Sequence, residues 1–274
     1  METVKVFQAE LAYESKGSGE PVLLISTGPI ADSFLPFFSE SVLIDRFQLL
    51  RYRQRQMSAN GHGSAPVSFA DHAADAAALL GSLGIHRAHV AGHSTGAVIA
   101  LQLAIDRPEI VHSLALLEPL QMFTPSAGPL VERLRPALVA YAAGDTEEAM
   151  ASFLSIACSL DWDTCRTVID RHVPGGVARA MGDASNVFDS YLPALGTWQF
   201  GLRQAATISQ PVLSVLGTET EQLFVEGNDL LHTWFPQVED CTIEGVAHLL
   251  HMQHPEPVAR GVAEFFARHP MTRD

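Results

Sequence analysis

The chain has 274 residues, 47% of them hydrophobic, and a formal net charge of −14 at pH 7. This length and this hydrophobic fraction predict one large domain, or one domain with an insertion. The acidic balance argues against nucleic acid or an anionic membrane surface as a partner, and it mildly disfavours a highly anionic substrate. The composition leaves a homodimer open.

The sequence has no stretch that approaches the roughly 20 uninterrupted apolar residues of a membrane-spanning helix. Its first five residues lack the basic segment and the apolar run of a signal peptide. The three cysteines, Cys158, Cys165 and Cys241, are odd in number and widely spaced, which favours reduced thiols over a disulfide framework or a zinc site. We therefore expect a cytoplasmic protein.

Apolar runs that predict strands alternate along the chain with segments that have helical spacing. In chain order, the first predicted elements are an antiparallel hairpin at residues 3–15 closed by residues 16–19, a strand at 21–26, a helix at 32–44, a strand at 47–52, a polar loop to about 66, a helix at 68–83, a strand at 88–92, a helix at 95–105 and a strand at 111–117. The last ones are a strand at 211–216, a helix at 221–233, a strand at 238–243 and a helix at 256–268. Such alternation predicts a parallel sheet with helices on both faces.

Residues 120–206 break this alternation, because they contain helical pieces such as residues 145–159 but no convincing buried strand. The break predicts a helical cap over the carboxyl edge of the strands, where sheets of this kind bind their ligands. The predicted domains are therefore a core of residues 1–119 and 207–274 and a cap of residues 120–206.

The motif Gly92-His93-Ser94-Thr95-Gly96 lies between a predicted strand and a predicted helix. A serine on so sharp a turn adopts strained backbone dihedrals, and the flanking glycines avoid a collision where the helix passes the strand. The turn would lift the Ser94 hydroxyl above the sheet edge, beside the first N–H groups of the helix. The motif predicts a nucleophile elbow with Ser94 as the nucleophile.

A serine hydroxyl needs a base that takes its proton, and the base needs an acid that fixes its tautomer. The predicted base is His248, on the loop after the last strand. The acid is predicted to be Glu118, which ends the strand before the cap and directly precedes a proline. The alternative is Glu219, on the loop after the next strand, where Thr220 stands at the position usual for an aspartate.

Three histidines at intervals of three residues, His248, His251 and His254, also suggest a metal site as an alternative. No carboxylate of matching spacing completes such a site. Local packing or capping is the favoured interpretation of His251 and His254, and the predicted chemistry uses no metal or cofactor.

An acyl-transfer site also needs hydrogen-bond donors for the oxyanion that develops on the substrate. One predicted donor is the backbone N–H of Thr95, which follows the nucleophile. The second should come from the loop after the first buried strand, Ser26-Thr27-Gly28-Pro29. Since Pro29 has no N–H, the Gly28 N–H is the predicted second donor, and the Thr27 hydroxyl is an additional candidate.

Two further groups of residues are candidates for the substrate pocket. Apolar and aromatic side chains predict an apolar pocket that accepts aromatic groups; its predicted lining is Pro29, Met122, Phe123, Trp162, Phe188, Tyr191, Trp198 and Leu249. Arg51, Arg53 and Arg55 alternate at the end of a predicted strand and share one face if extended. They are candidates for holding a substrate carboxylate, but the favoured interpretation is that they tie down a loop of an acidic protein.

Over essentially its whole length, the chain resembles the α/β-hydrolase superfamily. The resemblance is carried by the elbow pentapeptide, by Glu118-Pro119 and by residues 245–255 with His248. It implies a mostly parallel, eight-stranded sheet and a two-step ester or lactone hydrolysis without a cofactor. An acid at Glu118, with no aspartate after the next strand, is similar to the pattern of the zearalenone lactonases. Pro29 and the arginine-rich residues 51–55 depart from the superfamily pattern.

The leading hypothesis is therefore a serine hydrolase that cleaves an ester or lactone of an apolar small molecule through an acyl-enzyme on Ser94. One alternative keeps the fold and uses His248 as a base in carbon–carbon bond hydrolysis or in cofactor-free oxygenation. Another is a non-enzymatic receptor that binds a small molecule in the capped pocket. A haloalkane dehalogenase is excluded, because its chemistry needs a carboxylate nucleophile where Ser94 stands.

Overall fold

Eight strands form one sheet in the computed structural model, which describes residues 1–7, 9–55 and 67–271. The strands are β1 (Glu2–Val6), β2 (Ala9–Gly17), β3 (Glu20–Ile25), β4 (Phe47–Tyr52), β5 (Ala88–His93), β6 (Val111–Leu117), β7 (Val212–Gly217) and β8 (Glu239–Ile243). Their order is β1-β2-β4-β3-β5-β6-β7-β8, and the pairing is antiparallel for β1–β2 and β2–β4 and parallel for the others. The predicted mostly parallel sheet is confirmed.

The helices follow the strands along the chain. They are α1 (Ser41–Ile44), α2 (Phe69–Ser82), α3 (Thr95–Asp106), α4 (Ala127–Ala142), α5 (Thr146–Cys158), α6 (Trp162–His172), α7 (Gly176–Gly182), α8 (Ala184–Asn186), α9 (Leu192–Thr197), α10 (Leu202–Ala205), α11 (Gln222–Trp234), α12 (Leu250–Gln253) and α13 (Pro255–Arg268). A 3₁₀ turn at Phe37–Ser39 and a π-helical turn at Val187–Tyr191 complete the set. Among the described residues, no helix combines the length and the apolar character needed to cross a membrane.

The buried side chains of the central strands divide between two cores, one on each face of the sheet. In β3, Leu23 and Ile25 pack with the side chains of α2 and α3, whereas Val22 and Leu24 pack on the opposite face with those of α13. This division follows from the two-residue repeat of a strand. A strand that is covered by helices on both faces therefore needs an unbroken run of apolar residues, and such a run is the feature from which β3 was predicted.

Every regular element between β6 and β7 is helical, and these helices, residues 127–205, are called the cap segment below. They share an apolar core in which Met150 and Ile169 are completely buried. Ile30, from the loop after β3, and Leu249, from the loop after β8, belong to the same core. The cap segment thus lies against the loops at the carboxyl ends of the strands, as the sequence predicts. The exact domain limits stay a prediction.

Two predicted elements differ from the observed ones. Val6 pairs with Ala9 in the hairpin, whereas Lys16 and Gly17 end β2 and residues 18–19 connect β2 to β3, so residues 16–19 do not close the hairpin. Residues 32–44 form only the 3₁₀ turn and the single-turn α1, because the ring of Pro36 interrupts helical hydrogen bonding within this segment. The predicted polar loop lies mostly outside the described residues.

Candidate active site

Ser94 occupies the turn between β5 and α3, with backbone angles of φ 55° and ψ −117°. A positive φ is strained for a residue with a side chain. A Cβ atom on Gly96 would collide with the carbonyl oxygen of Ile25, and one on Gly92 with the carbonyl oxygen of Gly96. Both positions therefore need glycine for α3 to pass so close to the strands. The turn has the strained geometry that the motif predicts.

Glu118 directly follows β6 and also has a positive φ, 44°. Its side chain is almost completely buried, and each of its oxygens accepts a hydrogen bond from the β7 side. Oε1 accepts from the Gly217 N–H at 2.8 Å, and Oε2 accepts from the Thr220 hydroxyl at 2.9 Å. Oε2 also lies 2.7 Å from Nδ1 of His248. The carboxylate therefore reaches across β7 to the loop that follows β8.

His248 is held by contacts to its ring and to its backbone. The ring of Phe224 stacks on the imidazole with a centroid separation of 4.0 Å and an interplanar angle of 12°. The ring of His93 lies on it at 4.5 Å, and His93 Nε2 donates to the carbonyl oxygen of His248 at 2.8 Å. Together with the Glu118 contact, these neighbours fix the orientation of the imidazole. Neither the role of Phe224 nor that of His93 is predicted from the sequence, although His93 stands inside the elbow motif.

Burial shifts the pKa values of both partners of this pair. It raises the pKa of Glu118 to about 7, although the hydrogen bonds from Gly217 and Thr220 oppose the shift. It lowers the pKa of His248 to about 3. The imidazole is therefore neutral at pH 7 and has a ring nitrogen that can accept a proton, while Glu118 titrates near neutral pH.

The alternative acid, Glu219, lies away from the imidazole. Its side chain is exposed, and its backbone N–H donates to the carbonyl oxygen of Val246 at 2.9 Å. The next residue, Thr220, is the one that contacts Glu118. Of the two candidate acids, the structure brings Glu118 to His248.

Two threonine hydroxyls and one backbone amide form a short hydrogen-bonded chain beside Ser94. The Gly28 N–H donates to Thr95 Oγ1 at 3.0 Å, and this oxygen lies 3.1 Å from Thr27 Oγ1. The amide predicted as the second oxyanion donor is therefore already engaged. The backbone N–H of Thr95, the other predicted donor, has no acceptor in the part of the chain that the structure describes.

Ser94 and His248 both line two cavities. The larger one, called the large chamber, has a volume of about 270 Å³ and is lined mostly by apolar side chains from α4, α5, α9 and α11 and from the loop after β6. The smaller one, called the small chamber, has a volume of about 50 Å³ and includes Thr27 and Thr95. The serine and the imidazole thus face an apolar space on one side and the hydroxyl pair on the other.

Half of the residues predicted to line the substrate pocket line one of the two chambers. Met122 lines the large chamber, and Pro29, Tyr191 and Leu249 line the small one. The residues that line neither chamber are Phe123, Trp162, Phe188 and Trp198. Their rings pack elsewhere: that of Phe188, for example, stacks on Tyr141 within the cap segment. The structure places these four outside both chambers, whereas residues such as Leu134 and Leu195 line the large one.

The arginines that follow or end β4 pair with carboxylates of the protein itself. Arg51 and Arg53 contact Asp32 at 2.7 Å and 2.6 Å, and Arg55 contacts Asp75 at 2.5 Å. None of the three lines either chamber. These pairs agree with the favoured interpretation, that the arginines tie down a loop and do not hold a substrate carboxylate.

The remaining histidines of the predicted trio do not share a site with His248. His251 is buried with its ring against those of Phe34 and His93, and His254 is exposed at the start of α13. Within the described ranges, no three His, Cys, Asp or Glu side chains are arranged to hold a metal ion. His251 thus packs locally, and His254 occupies the N-cap position of α13 without a side-chain hydrogen bond to the helix.

Comparison with known proteins agrees with the fold. Residues 21–255 match the family model of the alpha/beta hydrolase fold. The putative carbamate hydrolase RutD of Azorhizobium caulinodans is 36% identical over 109 residues, which are 39% of this chain and 40% of that protein. This chain thus spans about two fifths of the length of the first curated relatives it matches.

A longer match is the pimeloyl-[acyl-carrier protein] methyl ester esterase of Methylococcus capsulatus, 29% identical over 272 residues, which are 94% of this chain and 98% of that protein. The solved structure of Est816, described as an N-acyl homoserine lactone degrading enzyme, is 23% identical with a TM-score of 0.73 and covers 96% of this chain and 100% of its own. A thermophilic esterase from Thermogutta terrifontis is 20% identical with a TM-score of 0.77, over 98% of this chain and 100% of its own. These two structures share the fold.

Proposed function

Because the chain belongs to the alpha/beta hydrolase fold family, we propose that it is a serine hydrolase that cleaves a carboxylic ester or lactone of an apolar small molecule. The observation that carries the proposal is the 2.7 Å contact between Glu118 Oε2 and His248 Nδ1. Ser94, whose backbone is strained, lines the same two chambers as the His248 imidazole. A serine, a neutral imidazole and a buried carboxylate are the groups that acyl transfer uses.

In the proposed reaction, Nε2 of His248 takes the hydroxyl proton of Ser94 while Oγ attacks the carbonyl carbon of the substrate. The carbonyl oxygen becomes an oxyanion and accepts a hydrogen bond from the Thr95 N–H. Glu118 accepts the Nδ1–H, which fixes the tautomer and stabilises the imidazolium. His248 then gives its proton to the leaving alcohol. In the second step it takes a proton from a water molecule, whose oxygen attacks the acyl carbon. His248 then gives that proton to Ser94 Oγ as the acyl–oxygen bond breaks and the acid is released.

The lining of the large chamber supports an uncharged, apolar substrate group. Apolar side chains surround most of this space, and the Glu221 carboxylate that also lines it is paired with Arg133 at 3.0 Å. Burying a charged group there would cost several kcal/mol without a partner. The relatives act on a methyl ester, a carbamate or a lactone according to their names, and the resemblance to the zearalenone lactonases adds to the case for lactones.

A panel of p-nitrophenyl esters of increasing acyl length, together with several lactones, tests the proposal. We expect turnover of uncharged esters and a loss of at least about 10⁴-fold in kcat for Ser94→Ala. A fluorophosphonate probe should label Ser94 in the wild type and leave the variant unlabelled. Retention of most of the rate in Ser94→Ala would instead support a reaction in which His248 acts as a base alone. Binding without turnover or labelling would support the receptor alternative.

A further inference from the structure

Of the two backbone amides predicted as oxyanion donors, only that of Thr95 has no acceptor in the described part of the chain. The Gly28 N–H is engaged by Thr95 Oγ1 at 3.0 Å, and the next residue, Pro29, has no N–H. Loss of one donor from an oxyanion hole costs about 10²- to 10³-fold in kcat. A second donor must therefore come from a side chain, or the Gly28 amide must first break its hydrogen bond.

The hydroxyl groups of Thr27 and Thr95 carry one hydrogen each, and only one of these two hydrogens is donated in the contacts of the pair. The two oxygens lie 3.1 Å apart, so one O–H donates to the other hydroxyl. The Gly28 N–H supplies its own proton to Thr95 Oγ1. No other acceptor for either hydroxyl is present among the described residues. Whichever threonine donates within the pair, the other therefore keeps an unused O–H.

This unused O–H belongs to a buried pair beside the nucleophile. Thr27 is 7% exposed and Thr95 is 5% exposed, and both line the small chamber together with Ser94. Gly28 is not part of the lining of either chamber. An O–H that also accepts a hydrogen bond is polarised into a better donor, and here the amide polarises the pair.

We propose that the Thr27–Thr95 hydroxyl pair donates its unused hydrogen to the substrate carbonyl oxygen and is the second oxyanion donor, with the Gly28 N–H acting through Thr95 Oγ1. This inference rests on the proposed serine hydrolase function. It replaces a direct amide contact by a relay from Gly28 through the threonine pair. The relay strengthens as negative charge develops on the carbonyl oxygen, so it stabilises the transition state more than the bound substrate.

Thr95→Val tests the relay, because valine keeps the branched shape and removes the hydroxyl. With p-nitrophenyl butyrate as substrate, we expect kcat to fall about 10²-fold while KM changes less than about threefold. The affinity for a trifluoromethyl ketone, which forms an oxyanion on Ser94, should fall by a similar factor. Thr95→Ser should recover most of both losses. Thr124→Val, at a buried threonine that lines neither chamber, is the matched control for burial of a new methyl group.

An unchanged or higher kcat in Thr95→Val would overturn the inference, since the freed Gly28 N–H would then be the donor. Equal losses in Thr95→Val and Thr124→Val would also overturn it, because a packing effect would explain them. Labelling of Ser94 by a fluorophosphonate probe separates these outcomes from failure of the hydrolase proposal. If the wild type is labelled and hydrolyses esters, these outcomes contradict the relay alone and leave the serine hydrolase proposal standing.

Discussion

Thr220 donates its hydroxyl hydrogen to Oε2 of Glu118 at 2.9 Å. Thr220 stands where an aspartate is usual in this kind of sheet, and Glu118 directly follows the neighbouring strand, β6. Because β6 and β7 are adjacent and parallel, their carboxyl ends bring both residues to the same edge of the sheet. The residue at the usual acid position, after β7, thus stabilises a carboxylate that follows the neighbouring strand β6.

Glu118→Gln should lower kcat/KM by about 10³- to 10⁴-fold with a p-nitrophenyl ester, because the amide keeps the shape but loses the charge that stabilises the imidazolium. Glu219→Gln is the matched control: its side chain is exposed, so we expect less than about a twofold change. A near-neutral Glu118→Gln together with a large loss in Glu219→Gln would make Glu219 the acid.

The pH dependence of kcat/KM should follow the ionisation of Glu118. Burial raises the pKa of this carboxyl to about 7, and the active form needs it charged, so the rate should rise with pH through about 7. His248, with its pKa lowered to about 3, is neutral across this range and does not limit the rate. In Glu118→Gln the step near pH 7 should disappear. A step that persists in this variant would belong to another group.

Thr220→Val should move that step to higher pH, because the variant loses a hydrogen bond that lowers the pKa of Glu118. The rate on the alkaline plateau should change much less than the rate at pH 6. Thr218→Val is the control, since the Thr218 hydroxyl accepts from the Gly245 N–H and does not contact Glu118. A midpoint that stays in place in Thr220→Val, measured over the full pH range, would contradict this role of the hydroxyl.

Ser94, Glu118 and His248, the proposed catalytic triad, could be predicted because each stands next to a strand end that the local sequence marks. Ser94 stands between an apolar strand and a helix, with glycine where the backbone must pass closely. Glu118 precedes a proline that ends a strand, and His248 follows the last strand. Carboxyl ends of parallel strands meet at one edge, so local positions in the sequence imply a shared site.

The lining of the chambers could not be predicted in the same way. Phe153 and Phe188 are both aromatic residues of the cap segment, yet Phe153 lines the large chamber and Phe188 does not. The spacing of apolar residues predicts that one face of a helix is buried, but it does not show which other element packs on that face. The contact of Thr95 with Gly28 joins residues 67 positions apart, and no repeat or spacing signals it.

The large chamber should control the preferred acyl length. Leu138→Trp, on the part of α4 that lines this chamber, should lower kcat/KM for p-nitrophenyl octanoate by about tenfold, equivalent to about 1.4 kcal/mol of lost apolar contact. The acetate ester should change less than about threefold, because a short acyl group needs little of the space. Val139→Trp, at an exposed neighbour outside the chamber, should leave both rates unchanged. Equal losses for both esters in Leu138→Trp would mean that the acyl group binds elsewhere.

Asp32→Asn should destabilise the fold, because a buried carboxylate there pairs with Arg51 and Arg53 at 2.7 Å and 2.6 Å. Allowing for the partial exposure of Arg53, we expect the free energy of unfolding in urea to fall by about 2–3 kcal/mol at pH 7. Although burial alone would raise the pKa of Asp32, the two arginines hold it below 3.8, so this stabilisation is present at neutral pH and fades as the pH falls through the lowered pKa. The difference in the free energy of unfolding between the wild type and Asp32→Asn should therefore become smaller at acidic pH. Glu132→Gln breaks a pair whose partners are both mostly exposed and should leave stability nearly unchanged; a similar loss in both variants would contradict the importance of burial at Asp32.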